Sequence, residues 1–185
     1  MVKTRHFLSN PTDNKMERVS NSIEALMNAA KAEIENFELR SEEKIIAYFS
    51  ELPTIGRFPY KIILAEISDG SILSKFRQWD TEYNLKQWTS GINNLDRLRI
   101  ITDEKILSET DTAILKKELS KLELIKLPET IRDQKTIILD GSEWKLGISL
   151  ANKNRDYTWI ASTEDINLFV PIIELIRKQY LDRIK

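Results

Sequence analysis

The chain of 185 residues contains 28 basic and 29 acidic side chains, one histidine and no cysteine. A chain of this length fits a single domain that buries about 70% of its unfolded surface, and the lack of cysteine excludes disulfides, thiolate metal sites and cysteine nucleophiles. A net charge of −1 gives no support for nonspecific nucleic-acid binding, which depends on Lys and Arg side chains that neutralise phosphates.

The N-terminal part of the chain is predicted to be helical after a polar arm. Apolar residues recur at steps of three and four from Lys15 to Phe37, which predicts a helix with one apolar stripe. Ser41 is suited to cap a second helix, which Pro53 would end. The predicted organisation is a polar arm at 1–14 and one α+β domain at 15–185, within which 15–52 could form a helical subdomain.

A β-hairpin is predicted at 60–79, centred on Asp69 and Gly70. Asp-Gly between alternating residues is typical of a two-residue type I′ turn, which needs positive φ at both central positions. With that turn, Ile63 pairs with Phe76 on a mostly apolar face. The opposite, more polar face then carries Lys75, Arg77 and Trp79.

Two helices and a short strand are predicted in the middle of the chain. Asp80 or Thr81 can cap the first helix, and Ser108 or Thr110 can open the second. Residues 97–102 are expected to form a short strand or an extended link. The residues expected on the buried sides of the two helices are Leu85, Trp88, Ile92, Leu95, Ile114, Leu115, Leu119 and Leu122.

A three-stranded meander is predicted after these helices. Its strands are expected at 136–140, 143–150 and 156–161, and a polar loop at 152–155 joins the last two. Apolar and polar residues alternate along 143–150, which is typical of a strand with one buried face. Folding the last strand back pairs Leu150 with Tyr157 and Ile148 with Trp159.

A C-terminal helix is predicted at 162–185, where Ser162 can cap it. Pro171 either kinks this helix or lies in the first turn of a main helix that follows a short first turn, and we favour one kinked helix. Antiparallel hairpins combined with helices, without strand–helix–strand alternation, predict an α+β fold. The antiparallel sheet is expected to consist of the hairpin at 60–79 and the meander at 136–161, with N-terminal, middle and C-terminal helices.

The usual motifs for catalysis and cofactor binding are missing from the sequence. The single histidine, His6, lies in the polar arm, which argues against a Ser-His-Asp triad and a site with two histidine ligands. Neither a dinucleotide-binding glycine pattern nor a phosphate loop occurs, so no cofactor and no metal are expected. No apolar run reaches the roughly 18 residues that cross a bilayer, so a cytoplasmic protein without membrane contact is expected.

Glu143 and Lys145 are the one catalytic candidate. A Glu-x-Lys pair on a strand, with an Asp nearby, forms the metal site of nucleases of the PD-(D/E)xK type, and Asp133 could complete such a site. However, Trp144 and Leu146 alternate with this pair and are expected to face the core. Glu143 and Lys145 are therefore more simply explained as residues on a solvated face, and we favour that interpretation.

A chain without catalytic motifs is more simply explained as a binding protein, and we expect a protein partner. The sharpest hypothesis is an immunity- or antitoxin-like inhibitor of a bacterial toxin, because small, cysteine-free, charge-rich α+β chains without motifs are common in that class. The alternatives are the metal-dependent nuclease and a nucleic-acid-binding module that uses the 75–79 strand face. Trp79 is expected to be the main contact, because it ends its strand where the sheet no longer shields it. The predicted binding residues are Lys75, Arg77, Trp79, Glu82 and Tyr83.

Overall fold

The computed structural model describes residues 25–53, 59–90, 98–131, 142–151, 153–160 and 164–184. Within these ranges, six strands form one antiparallel sheet in the order β4-β3-β2-β1-β5-β6. The strands are β1 (Lys44–Pro53), β2 (Tyr60–Glu66), β3 (Ile72–Trp79), β4 (Ile100–Ile106), β5 (Ser142–Leu150) and β6 (Lys153–Trp159). The helices are α1 (25–35), α2 (Thr81–Thr89), α3 (Glu109–Glu123) and α4 (Val170–Lys178), with a 3₁₀ helix at Glu164–Leu168. The predicted α+β class is confirmed.

The strand β1 occupies the region where a second helix was predicted, and that prediction is wrong. It pairs with β2 on one side and with β5 on the other, so it joins the two hairpins into one sheet. Both faces of β1 are buried, because Ala47 and Phe49 lie on one face while Ser50 and Leu52 lie on the other. A strand buried on both faces loses its alternating pattern, and its apolar run then resembles a helix.

The hairpin of β2 and β3 is present where predicted, but its turn is one residue longer. The Ile67 N–H donates to the Ser71 carbonyl (3.0 Å), and the Gly70 N–H donates to the Ile67 carbonyl (2.9 Å). Three residues therefore form the loop, and Gly70 alone takes the left-handed conformation, with φ of 83°. The Asp69 carboxylate accepts the Ser71 N–H (2.8 Å), which stabilises this turn.

The longer turn shifts the strand pairing by one residue. Phe76 lies opposite Ile62, whereas the two-residue turn had paired it with Ile63. Ile63 instead lies opposite Lys75, on the other face of the sheet. A slip of one residue reverses which side chains of one strand share a face with those of the other.

The strands β5 and β6 form a tighter hairpin than the one predicted. Residues 153–155 belong to β6 rather than to a loop, and Leu146 pairs with Tyr157. The observed register differs from the predicted one by four residues, an even number, so Tyr157 and Trp159 still face the core. Both edges of β5 are occupied, by β1 and β6, so β5 is not the middle strand of the predicted meander. The strand predicted at 136–140 lies outside the described residues.

The middle elements largely follow their sequence signals. Ser108 caps α3 by accepting the Asp111 N–H (3.1 Å), and Asp80 caps α2 by accepting the Tyr83 N–H (3.0 Å). Leu115 and Leu122 are buried in α3 as predicted, whereas Leu85 and Ile114 are exposed, so their predicted burial is wrong. The predicted short strand extends to Ile106 as β4.

Helices cover both faces of the sheet. On one face, α3 and α4 enclose the main core, where Tyr180 stacks on Phe76 with ring centroids 4.6 Å apart. A short 3₁₀ helix precedes the main helix α4, which begins with Pro171 in its first turn, so the favoured single kinked helix is wrong and the alternative arrangement is present. On the other face, α1 packs Leu26, Ala30 and Ile34 against Trp79 of β3.

Candidate functional site

The sheet face toward α1 carries three cations at one level of neighbouring strands. Arg77 on β3 lies opposite Lys61 on β2, and Lys61 lies opposite Ser50 on β1. Ser50 in turn lies opposite Lys145 on β5. We call these four residues the basic row. With strands about 4.8 Å apart, the basic row extends about 14 Å across the sheet.

The C-terminal end of α1 supplies the anions that neutralise the basic row. The Glu35 carboxylate bridges two lysines, with one oxygen 2.5 Å from the Lys61 Nζ and the other 3.3 Å from the Lys145 Nζ. Glu33 lies 3.6 Å from the guanidinium of Arg77. The C-terminal end of a helix carries a partial negative charge, which adds to the attraction. This end of α1 is therefore held on the sheet by charge.

Aromatic rings surround the centre of the basic row. The Lys61 Nζ lies 4.8 Å from the centroid of the Tyr48 ring and 5.7 Å from that of Phe37. The Tyr48 hydroxyl donates a hydrogen bond to the Asp156 carboxylate (2.8 Å). Cations above aromatic faces are attracted by the ring quadrupole, and the attraction is larger where water is excluded. Lys61 is thus held by a carboxylate and two rings together.

The pKa values of Glu35, Lys145 and Tyr48 are shifted away from neutral pH. Burial alone would raise the pKa of Glu35, but hydrogen bonds and charge from Lys61 and Lys145 outweigh it and lower that pKa. Burial alone would lower the pKa of Lys145, but Glu35 and Glu143 outweigh it and raise that pKa. Burial, together with Asp156, raises the pKa of the Tyr48 hydroxyl. Glu35, Lys145 and Tyr48 are therefore poorly suited to general acid–base catalysis near pH 7.

The two predicted catalytic residues of β5 lie at the end of the basic row. Lys145 Nζ is 3.2 Å from a Glu143 oxygen and 3.3 Å from a Glu35 oxygen, so two carboxylates flank one ammonium. Both side chains are partly buried rather than fully solvated. Asp133 lies outside the described residues. Among the residues that the structure describes, no group of three His, Cys, Asp or Glu side chains could hold a metal ion.

Two of the predicted binding residues are buried. Lys75 is 4% exposed, and its Nζ donates to the Glu43 carboxylate (2.6 Å) and to the Glu38 carbonyl (3.1 Å). Trp79 is 3% exposed, because α1 covers it. The expectation that Trp79 is unshielded is therefore wrong. The strand β3 ends at Trp79 as predicted, but α1 covers this end of the sheet face.

The other three predicted binding residues do not form one open patch with these two. Arg77 is partly buried, with Phe37 at 5.6 Å from its guanidinium. Glu82 is exposed in the first turn of α2. Tyr83 is partly buried beneath the guanidinium of Arg99, which lies 5.4 Å from its ring centroid. A binding role for these residues stays a prediction.

The sequence interpretation missed the most tightly connected residues of this face. Glu35 fell within the helix predicted from Lys15 to Phe37 but was not singled out, and Ser50 was placed in a helix that does not exist. One signal was present, because Lys61 interrupts an otherwise apolar strand. A buried lysine requires a partner, and a carboxylate from another element is the usual kind of partner.

A second surface feature lies between α3 and α4. The two helices enclose an open cleft of about 580 Å³, and Lys178 pairs with Asp111 across them at 2.6 Å. Leu181 is 59% exposed beside this cleft, and Ile114 is also exposed. The residues that line the cleft are Ile114, Pro171, Glu174, Leu175, Arg177, Lys178 and Leu181. Sequence periodicity had assigned Ile114 to the core, so this surface was not predicted.

Comparison of the chain with family models, curated proteins and solved structures finds no match. None of the helices within the described ranges is long and apolar enough to span a membrane.

Proposed function

We propose that the protein acts by binding another protein, as an immunity- or antitoxin-type inhibitor of a bacterial toxin in the cytoplasm. The observation that carries the proposal is the apolar cleft between α3 and α4. Leu181 and Ile114 are large apolar residues exposed on the same cleft. Contiguous exposed apolar surface with a polar rim is typical of protein interaction sites.

The cleft has the composition of a small interface. Its apolar residues lie between charged side chains at the rim, of which Glu174 and Lys178 are exposed. Lys178 is fixed by Asp111, so part of the rim is already ordered before a partner binds. Preordered side chains reduce the entropy lost on association. A partner that inserts apolar side chains between these charges fits this surface best.

The sheet face supports binding rather than catalysis as the general mode of action. Its carboxylates and ammonium groups neutralise one another, and the pKa values of Glu35 and Lys145 move away from neutrality. Such a network stabilises a structure but does not exchange protons readily near pH 7.

The test is a pull-down from the native host with variants at two exposed leucines. Leu181→Asp places a charge in the cleft, and the matched control Leu124→Asp places one at a leucine that is 88% exposed outside it. We expect wild type and Leu124→Asp to recover the same partner and Leu181→Asp to bind that partner at least about tenfold more weakly. The purified partner should also lose its toxic activity when wild-type protein is added. Equal affinity for both variants would show that the cleft is not the binding surface, and an uninhibited partner would refute the inhibitor function.

A metal-dependent nuclease of the PD-(D/E)xK type that uses Glu143 and Lys145 is the second candidate, because these two side chains lie 3.2 Å apart on β5. Carboxylates beside a lysine are the groups such an enzyme uses to hold Mg²⁺ and activate water. The test is cleavage of DNA and RNA with Mg²⁺ or Mn²⁺. Cleavage that both Glu143→Ala and Lys145→Ala abolish would favour the nuclease over the inhibitor. Absence of cleavage by folded wild-type protein would remove this candidate.

A further inference from the structure

The basic row has hydrogen-bond donors that α1 does not satisfy. Within the described part of the chain, the Ser50 Oγ and the Arg77 Nε are both buried and have no hydrogen-bond partner. Ser50 lies directly between Lys61 and Lys145 in the sheet register. The two Glu35 oxygens contact these two lysines. Because the Ser50 Oγ and the Arg77 Nε stay unpaired, the centre of the basic row is incompletely satisfied.

The basic row is also costly to maintain for structural reasons alone. Arg77 and Lys61 lie directly opposite each other on neighbouring strands, an arrangement in which like charges repel. The Lys61 side chain is nine-tenths buried. A buried cation requires an anion, so this face of the sheet is stable only when negative charge lies on it. In this structure the anion belongs to α1.

We propose that the basic row is a binding site for a phosphate group, which Glu35 occupies in the ligand-free protein. A phosphate group can bridge Lys61 and Lys145 as the carboxylate does, and a further oxygen remains to accept the Ser50 hydroxyl. In this structure Glu35 leaves that hydroxyl unpaired. Lysine, arginine and serine are the side chains that most often bind phosphate oxygens.

The helix α1 can be displaced without disturbing the main core. Its buried contacts are Leu26, Ala30 and Ile34 against Trp79, in a cluster separate from the one beneath α3 and α4. Residues 36–43, which connect α1 to β1, form neither helix nor strand. Movement of α1 about the start of this connection would uncover the basic row and leave the six strands and the buried Glu43–Lys75 ion pair in place.

The phosphate group could belong to a small phosphorylated molecule or to a nucleic-acid backbone. Both sources present negatively charged phosphate oxygens to the basic row. The probes must therefore distinguish a small phosphorylated molecule from a nucleic-acid backbone. We use inorganic phosphate as the small probe and a short single-stranded DNA oligonucleotide as the backbone probe. If three cations contact the backbone, the logarithm of the affinity falls with the logarithm of the salt concentration with a slope of about −2.

The first experiment removes the competing carboxylate. Glu35→Gln keeps the shape of the side chain but not its charge, and Glu38→Gln is the matched control on an exposed residue nearby. Calorimetric titration at constant ionic strength should show that phosphate binds at least about tenfold more tightly to Glu35→Gln than to wild type or Glu38→Gln. The reason is that the Glu35 carboxylate no longer competes with phosphate for the basic row. Adding Lys61→Met to Glu35→Gln should abolish the gain.

A second measurement, on the wild-type protein, tests the proposal if Glu35→Gln does not fold. Phosphate or the oligonucleotide should displace α1, so amide hydrogen exchange at 26–35 should be faster with either probe than in chloride at equal ionic strength. A response to the oligonucleotide alone assigns the site to a nucleic-acid backbone, and a response to phosphate assigns it to a small phosphorylated ligand. Unchanged exchange of α1 with both probes would overturn the proposal, as would Glu35→Gln that folds but binds no tighter than wild type.

Discussion

Tyr48 lies across Gly147, so close that a Cβ at position 147 would fall 2.0 Å from the Cε1 atom of the ring. Only glycine allows the ring to cross β5 and reach Asp156 on β6, to which the Tyr48 hydroxyl donates. The same ring lies beneath Lys61 of the basic row. This glycine therefore positions a ring that supports the cation at the centre of the sheet face.

The first prediction follows from this contact. Gly147→Ala should destabilise the fold by about 1–3 kcal/mol, because the ring of Tyr48 must move away. In a Tyr48→Ala background the same substitution should cost far less, since the obstructing ring is gone. Chemical denaturation of the four proteins in a double-mutant cycle measures the coupling. Additive losses would mean that the ring and the glycine do not interact in solution.

The second prediction concerns the turn of the β2–β3 hairpin. Gly70→Val should cost on the order of 1–3 kcal/mol, because a β-branched residue tolerates a φ of 83° badly. No atom lies within 4 Å of a Cβ built at this position, so the cost is one of backbone conformation alone. Gly70→Asn is the matched control and should lose less, because asparagine adopts this conformation more readily. An unchanged denaturation midpoint for Gly70→Val would contradict the turn.

The third prediction concerns Trp79, which the structure places beneath α1. Trp79→Ala should remove core contacts and destabilise the protein by up to about 3–5 kcal/mol, with faster hydrogen exchange throughout α1. Tyr83→Ala is the comparison on the adjoining helix, where loss of the contact with Arg99 should cost only about 0.5–1 kcal/mol. If Trp79→Ala leaves both stability and α1 exchange unchanged, the tryptophan does not anchor the helix.

The sequence predicted the elements that have local signals. Ser108 caps α3, Gly70 takes the left-handed turn position, and Tyr157 faces the core, because a cap, a turn and an alternating strand depend on nearby residues. The α+β class followed from these elements. The predicted turn length was wrong, and the extra loop residue before Gly70 shifted the pairing of β2 with β3.

Features that depend on distant contacts were not predicted. β1 was interpreted as a helix because the sheet buries both of its faces, which removes the alternation that identifies a strand. Trp79 was expected to be open because no local pattern shows that α1 returns over the end of β3. Predicting the basic row requires the register of four strands, and one of them, β1, was not recognised as a strand. Sequence reasoning therefore found Lys145 and Arg77 separately but could not bring them together.

The fourth prediction concerns the acid stability that Glu35 provides. Its pKa is lower in the folded protein than the ordinary value of 4.5, so it binds a proton less readily when folded. Its contribution to stability is therefore fully present above about pH 4.5 and is lost as the pH falls through the lowered value. The difference in unfolding free energy between wild type and Glu35→Gln should be largest near neutral pH and shrink in acid. Glu43 and Asp111 also have lowered pKa values, but they are present in both proteins and cancel. A difference that is independent of pH would contradict the ion-paired state of Glu35.

Lysine reactivity tests most directly whether α1 closes the sheet face. Lys61 and Lys75 are buried beneath α1 and the segment that follows it, whereas the side chains of Lys116 and Lys121 on α3 are more than half exposed. The measurement is acetylation of the native protein with site-resolved mass spectrometry over time. We predict that Lys116 and Lys121 react promptly while Lys61 and Lys75 stay protected until the protein is denatured. Acetylation of Lys61 and Lys75 in the native protein at the rate of the α3 lysines would contradict a closed, ion-paired sheet face.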